Sequence, residues 1–103
     1  MKIRLTYLAL AMGALYLSST AWAGGPVDSR TRTMAANCSY CHGPDGKSRG
    51  AIPSLAGLDK GYFVQQMKDF QSGARPAVVM QKHALGYNDE EIEKLAAWFA
   101  AVK

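Results

Sequence analysis

The sequence predicts an all-α domain of three main helices and two long loops, wrapped around a centre that its own few side chains cannot fill. Three observations point there. Apolar residues recur three and four apart in three separate stretches. No segment alternates apolar and polar residues as a half-buried strand does. Two glycine- and proline-bearing segments stand between the helical stretches.

Residues 1–23 are set apart from the fold. Lys2 and Arg4 make a positive start, Leu5 to Leu17 is an apolar run of 13 residues, and Ala21-Trp22-Ala23 is an A-x-A cleavage signal before Gly24. This is the pattern of a cleaved secretory signal, and it implies a periplasmic protein. The alternative, an uncleaved anchor, is opposed by a run too short to span a bilayer comfortably and by the lack of a stop-transfer pattern after it. No stable membrane insertion is expected after cleavage. The domain is then residues 24–103. Without Lys2 and Arg4 the formal charge falls from +4 to +2, ten basic residues against eight acidic, which gives nucleic-acid binding no support. A domain of this size sits where an ordinary core becomes marginal and an extra staple is usual. The two cysteines are too close together to close a long stabilising loop.

The first helix is predicted from Ser29 to about Tyr40, with Asp28 or Ser29 as its cap and Val27, Thr31, Met34, Ala35 and Cys38 on one face. Gly43 to Gly57, with four glycines and two prolines, reads as loop. Asp59 caps the second helix, whose apolar face is Tyr62, Phe63, Met67 and Phe70, and Gly73 stands where a terminating glycine belongs. Gly73 to Tyr87 reads as a second irregular segment, around Pro76 and Gly86. Asn88, followed by Asp89, Glu90 and Glu91, starts the last helix with a cap and acids against the positive end of its dipole. Ile92, Leu95, Ala96 and Phe99 form its stripe, and Trp98 flanks it as a packing residue. Loops this long in so small a domain need a reason.

Cys38-Ser39-Tyr40-Cys41-His42, present once, supplies one. It is the c-type haem attachment pattern. Two residues between the thiols let both sulfurs reach the two vinyl groups along one side of a porphyrin, and the adjacent histidine places Nε2 on the iron. The other ring nitrogen, Nδ1, needs an acceptor to fix the ring, and a backbone carbonyl near Pro53 in the following loop is the candidate. A thioredoxin-like redox motif would need a βαβ setting. A zinc site would need four ligands, and after the signal only His83 could join Cys38, Cys41 and His42. A disulfide across two residues would be a small strained ring of little value.

The second axial ligand must come from later in the chain. Met80, 38 residues after His42 in the second irregular segment, is the expected one. Met67 is expected in the core and Met34 in the first helix. His83 is the rival, weighed against a plain solvent-exposed position. His/Met ligation raises the reduction potential, which suits electron acceptance. Arg75 is a candidate partner for a haem propionate, and Tyr62 and Tyr87 are candidates to pack on the porphyrin or donate to a propionate. Lys47, Arg49, Arg75 and Lys82 fall in the two loops and could form a basic rim that steers an acidic partner, or simply a solvated surface.

With Cys38 to His42, Met80 and the last helix, the chain resembles the class I c-type cytochromes over the whole of residues 24–103. That resemblance implies first and last helices crossing near Ala35-Ala36 and Phe99. A narrower likeness lies in Tyr62-x4-Met67-x2-Phe70-x2-Gly73-x-Arg75, in Val79-Met80 and in Gly86-Tyr87-Asn88-Asp89-Glu90-Glu91-Ile92. These are similar to the cytochrome subunit of flavocytochrome c sulfide dehydrogenase. The likeness implies one covalent haem c that takes electrons singly from a flavoprotein (FAD) subunit and passes them to an external one-electron acceptor, with no catalysis of its own. Many such subunits carry two haem domains and this chain carries one motif, which keeps open a free monohaem shuttle in a respiratory or photosynthetic chain.

Overall fold

Four helices and one 3₁₀ turn make up residues 28–103, the residues described by the computed structural model. Their order is α1 (Ser29–His42), the turn Pro44–Gly46, α2 (Lys60–Ser72), α3 (Val79–Leu85) and α4 (Asp89–Ala100). There is no strand among the described residues. The proposed signal, its cleavage point and Val27 lie outside them.

Asp28 caps α1 by accepting the Arg30 N–H and the Thr31 hydroxyl, both at 3.1 Å. The helix runs two residues beyond the predicted end, through His42, because nothing stops it before Gly43. The whole Cys38–His42 motif therefore sits on one rigid helical end, with its cysteines three apart and so neighbours on the surface. Gly43 turns the chain at φ 92°, where a Cβ would meet the Lys47 carbonyl oxygen at 2.2 Å. Only glycine fits there. Asp59 caps α2 through the Tyr62 N–H at 2.9 Å, and Gly73, at φ 82°, closes it in the left-handed conformation. A complete capping box opens α4: Asn88 Oδ1 accepts the Glu91 N–H at 2.9 Å, and Glu91 Oε1 accepts the Asn88 N–H at 3.1 Å.

The segment predicted to be irregular from Gly73 to Tyr87 holds α3 instead, a departure from the three-helix expectation. Seven residues are too few for a periodic pattern to register. Yet Met80, Gln81, Lys82, Ala84 and Leu85 are good helix formers, bracketed by Pro76 and Gly86. No side chain caps its start. A helix so short is unstable alone, and Ala84, with none of its surface exposed, docks it on the core.

Ile92, Leu95, Ala96 and Phe99 are wholly buried, joined by Met34, Ala35, Phe63 and Met67. The Phe63 and Phe99 rings stack with centroids 5.9 Å apart. Gly46 lies under the Phe99 ring, where a Cβ would sit 2.8 Å from it, and the Gly57 N–H donates to the Phe99 carbonyl at 2.8 Å. Of the alanine pair expected at the crossing of the first and last helices, Ala35 is in the core and Ala36 is exposed. Arg30 Nε donates to Glu91 at 2.9 Å and Lys94 meets Asp28 at 3.3 Å, tying the start of α1 to α4.

Candidate functional site

Beside this core lies a cavity of about 760 Å³, within the range of roughly 300–1,000 Å³ that cofactor sites occupy. Four stretches build it: the end of α1, the loop 51–58, the inner face of α2 continued to Arg75, and α3 with Tyr87. Cys38, Cys41, His42, Pro53, Tyr62, Arg75 and Met80 all line it, although they span 43 positions of sequence. No aspartate or glutamate is among the lining residues.

His42 is 9 % exposed, and its Nδ1–H donates to the Pro53 carbonyl oxygen at 2.6 Å. That bond fixes the tautomer and leaves Nε2 with its lone pair free. Nε2 has no partner among the described residues and is not sealed in the interior, so it opens to the cavity. Cys38 is half-buried and Cys41 exposed, and neither is in a disulfide. Burial pushes the Cys38 thiol up to about 11, the opposite direction from redox-active CxxC thiols, which lie at roughly 3.5–7.5. Among the described residues no three His, Cys, Asp or Glu side chains converge as a metal site.

Met80 is half-buried on the cavity wall, one helical turn before Ala84. Met67 is buried in the core and also reaches the wall; Met34 is in the core and does not reach it. His83 is exposed, three residues after Met80 on α3, and lines the same wall. The Arg75 guanidinium donates to Gln66 Oε1 and lies 4.8 Å from the centroid of the Phe70 ring, so its position on the rim is set by α2. Tyr62 stands half exposed on the wall. Sequence reasoning missed Gln66, Ile52 and Leu58 as lining residues. Gln66 is one turn beyond Tyr62, and that spacing could have found it. Ile52 and Leu58 lie in a loop with no periodicity to read.

The donor chemistry fits a flat, largely apolar group with a central metal: two thiols on one helical turn, an imidazole with a free nitrogen, a thioether from another element, and walls without carboxylates. A family model described as cytochrome c oxidase, cbb3-type, subunit III matches residues 25–99. The chain belongs to this family of class I c-type cytochromes.

This cytochrome is 40% identical over 72 residues to the cytochrome subunit of sulfide dehydrogenase of Chlorobaculum tepidum, a match covering 70% of this chain and 66% of that one. It is 43% identical over 67 residues to a thiosulfate dehydrogenase electron acceptor of Stutzerimonas stutzeri, covering 63% and 31%. It is 34% identical over 100 residues to cytochrome c4 of Pseudomonas aeruginosa, covering 96% and 48%. The cytochrome thus spans about a third to two thirds of the length of these relatives. It carries covalent haem c and transfers electrons, as its family does, and the relatives are electron-transfer cytochromes or cytochrome subunits of enzymes. Among the described residues no helix is long and apolar enough to cross a membrane.

Proposed function

We propose that this cytochrome is the electron-accepting subunit of a periplasmic sulfide dehydrogenase. In this reading Cys38 and Cys41 carry the haem as thioethers, and His42 and Met80 are the axial ligands. The observation that carries the ligand assignment is the His42–Pro53 bond, which commits one imidazole nitrogen to the protein and leaves the other for the metal in a cavity shared with Met80. When bound, the haem supplies storage of one electron at a time by cycling between ferric and ferrous iron, at a potential that thioether ligation raises.

The chain's own residues do the rest. His42 is held at one tautomer by Pro53, and Phe63, Met67 and Phe70 of α2 with Val79 of α3 give the cavity a largely apolar wall. Arg75, placed by Phe70 and Gln66, stands ready for a propionate, with Tyr62 a further candidate on the same wall. The cavity mouth supports docking. Val79 is 62 % exposed and Tyr40 92 % exposed. Among the described residues Lys47, Arg49, Arg75 and Lys82 make no ion pair, as Arg32 and Lys103 make none, and of these six only Arg75 lines the cavity. In this reading a flavoprotein (FAD) subunit docks at this mouth, where Arg75 is the cation on the wall, and an external one-electron acceptor takes the electron onward. Residues 1–23 act as the export signal and residues 24–103 as the cytochrome domain.

Two measurements test this. Met80→Ala should abolish the weak near-infrared sulfur-to-iron band of the oxidised protein and lower its potential, while His83→Ala should leave both intact; the reverse pattern assigns the ligand to His83. Purification from the native periplasm should yield a stoichiometric flavin-containing partner. A monomer on gel filtration, reduced by no flavoprotein, would favour the free shuttle, a reading that the likeness to cytochrome c4 keeps in view.

A further inference from the structure

Gln71 lies near the end of α2, half-buried and outside every motif the sequence offers. Its Nε2 donates to the Ala84 carbonyl at 2.8 Å and to the Tyr87 carbonyl at 3.0 Å. A primary amide has two N–H groups on one nitrogen, and both are used, one on each carbonyl. Two carbonyl acceptors also settle which end of the amide faces α3. Among the described residues these are the only hydrogen bonds that a side chain of α2 makes to the segment 79–88.

The place they grip matters. The last carbonyls of a helix have no partner within it. At the end of α3 the Ala84 oxygen takes the Tyr87 N–H at 3.2 Å, and Gln71 supplies its second donor. Gln71 is thus a long-range cap on a seven-residue helix that has no side-chain cap at its start. Met80 and Ala84 are one turn apart and share a face of α3. On α2, Met67 and Gln71 are likewise one turn apart, with Met67 on the cavity wall. The clasp therefore registers α3 against α2 along the line that carries Met80.

From this geometry we infer that Gln71 is a positioning residue for the axial thioether: it keeps α3 seated so that Met80 is presented to the haem iron. The inference rests on Met80 as the axial ligand. A thioether is a weak donor, so a small loss of order in α3 opens the iron to other ligands, whereas a merely structural glutamine would lower stability and leave ligand competition alone.

The test uses the oxidised, haem-loaded full chain, with imidazole as the competing ligand. In the wild type the near-infrared band is present and imidazole displaces it. Gln71→Leu should bind imidazole about tenfold more tightly, the scale on which residues behind a metal ligand act. It should also lose the band on heating well before the helical circular dichroism melts. Gln71→Glu keeps the side chain's length, removes its donors while ionised, and regains one O–H donor when protonated. Its imidazole affinity, taken relative to wild type at each pH, should be raised at neutral pH and return toward wild type in acid. A band present in wild type with unchanged imidazole affinity in both variants overturns the role of Gln71 alone. A band that survives Met80→Ala overturns the axial assignment, and this inference with it.

Discussion

The two faces of the core are built to different ends. Where α4 meets α1, the chain closes on itself: Ile92, Leu95, Ala96 and Phe99 are wholly buried, a capping box opens α4, and two ion pairs stitch the seam. Where α2 and α3 face the loop 51–58, apolar side chains stay half-covered around the cavity, and Ile52, Tyr62 and Val79 keep 45, 51 and 62 % of their surface. The first face is finished by polypeptide. On the proposed assignment the second is finished by haem c, which replaces side chains that a domain this small does not have. A single chain can therefore be strong on one side and dependent on its cofactor on the other, and each side can be attacked separately.

The largest effect should come from the dependent side. With Cys38 and Cys41 as the proposed haem tether, replacing both by alanine should give a chain recovered without pigment and without cooperative unfolding by circular dichroism. A sharp, native-like transition in that double variant would show that the cavity walls close without a guest. Next is the finished side. Phe99→Ala removes the ring that stacks on Phe63 and covers Gly46, and should cost about 3–5 kcal/mol in a denaturant titration of the haem-loaded protein. Its absorption spectrum should change little, because Phe99 does not line the cavity. A spectral change as large as the loss of stability would mean that the two faces are one unit.

The same contrast explains what could be read from the sequence. On α4, cap, acids and stripe obey one period, so Asn88, Ile92, Leu95, Ala96 and Phe99 were all legible, as was the all-α class. Haem c as the cofactor was legible because its sequence signal is local, five consecutive residues from Cys38 to His42. Helix α3 was not, since seven residues hold fewer than two full repeats and its stability comes from Ala84 docking and from Gln71, contacts 13 and 16 positions away in sequence. Gln71 itself left no signal, because a glutamine at the end of a helix usually points to water. The crossing of the first and last helices was expected near Ala35-Ala36 and Phe99; Ala35 joins Met34 in the core, while Ala36, one position further round α1, falls on the exposed side.

The smallest effect concerns the polar seam of the finished face, and its sign follows from its charges. The Asn88 N–H, and after it Arg30, hold the Glu91 carboxyl below its ordinary 4.5; the Arg30 N–H, then the Thr31 hydroxyl and Lys94, hold Asp28 below 3.8. A carboxyl lowered on folding stabilises the fold fully above its unfolded value, and that contribution disappears as pH falls through the folded one. Lys94, raised above 10.5 by Glu90 and Asp28, contributes below that value and loses its share in stronger alkali. The seam should thus be at full strength between about pH 4.5 and 10.5 and weaken on either side. Glu91 should matter more than Asp28, since 12 % of its side chain is exposed against 43 %. Glu91→Gln isolates its charge, because glutamine also completes a capping box. The variant should unfold at slightly lower denaturant than wild type at pH 7, the gap should narrow in 1 M salt, and it should vanish in acid once wild-type Glu91 is protonated. A gap that persists undiminished to pH 2 would mean that Glu91 acts through packing, with the Arg30 pair contributing nothing to the join of α1 and α4.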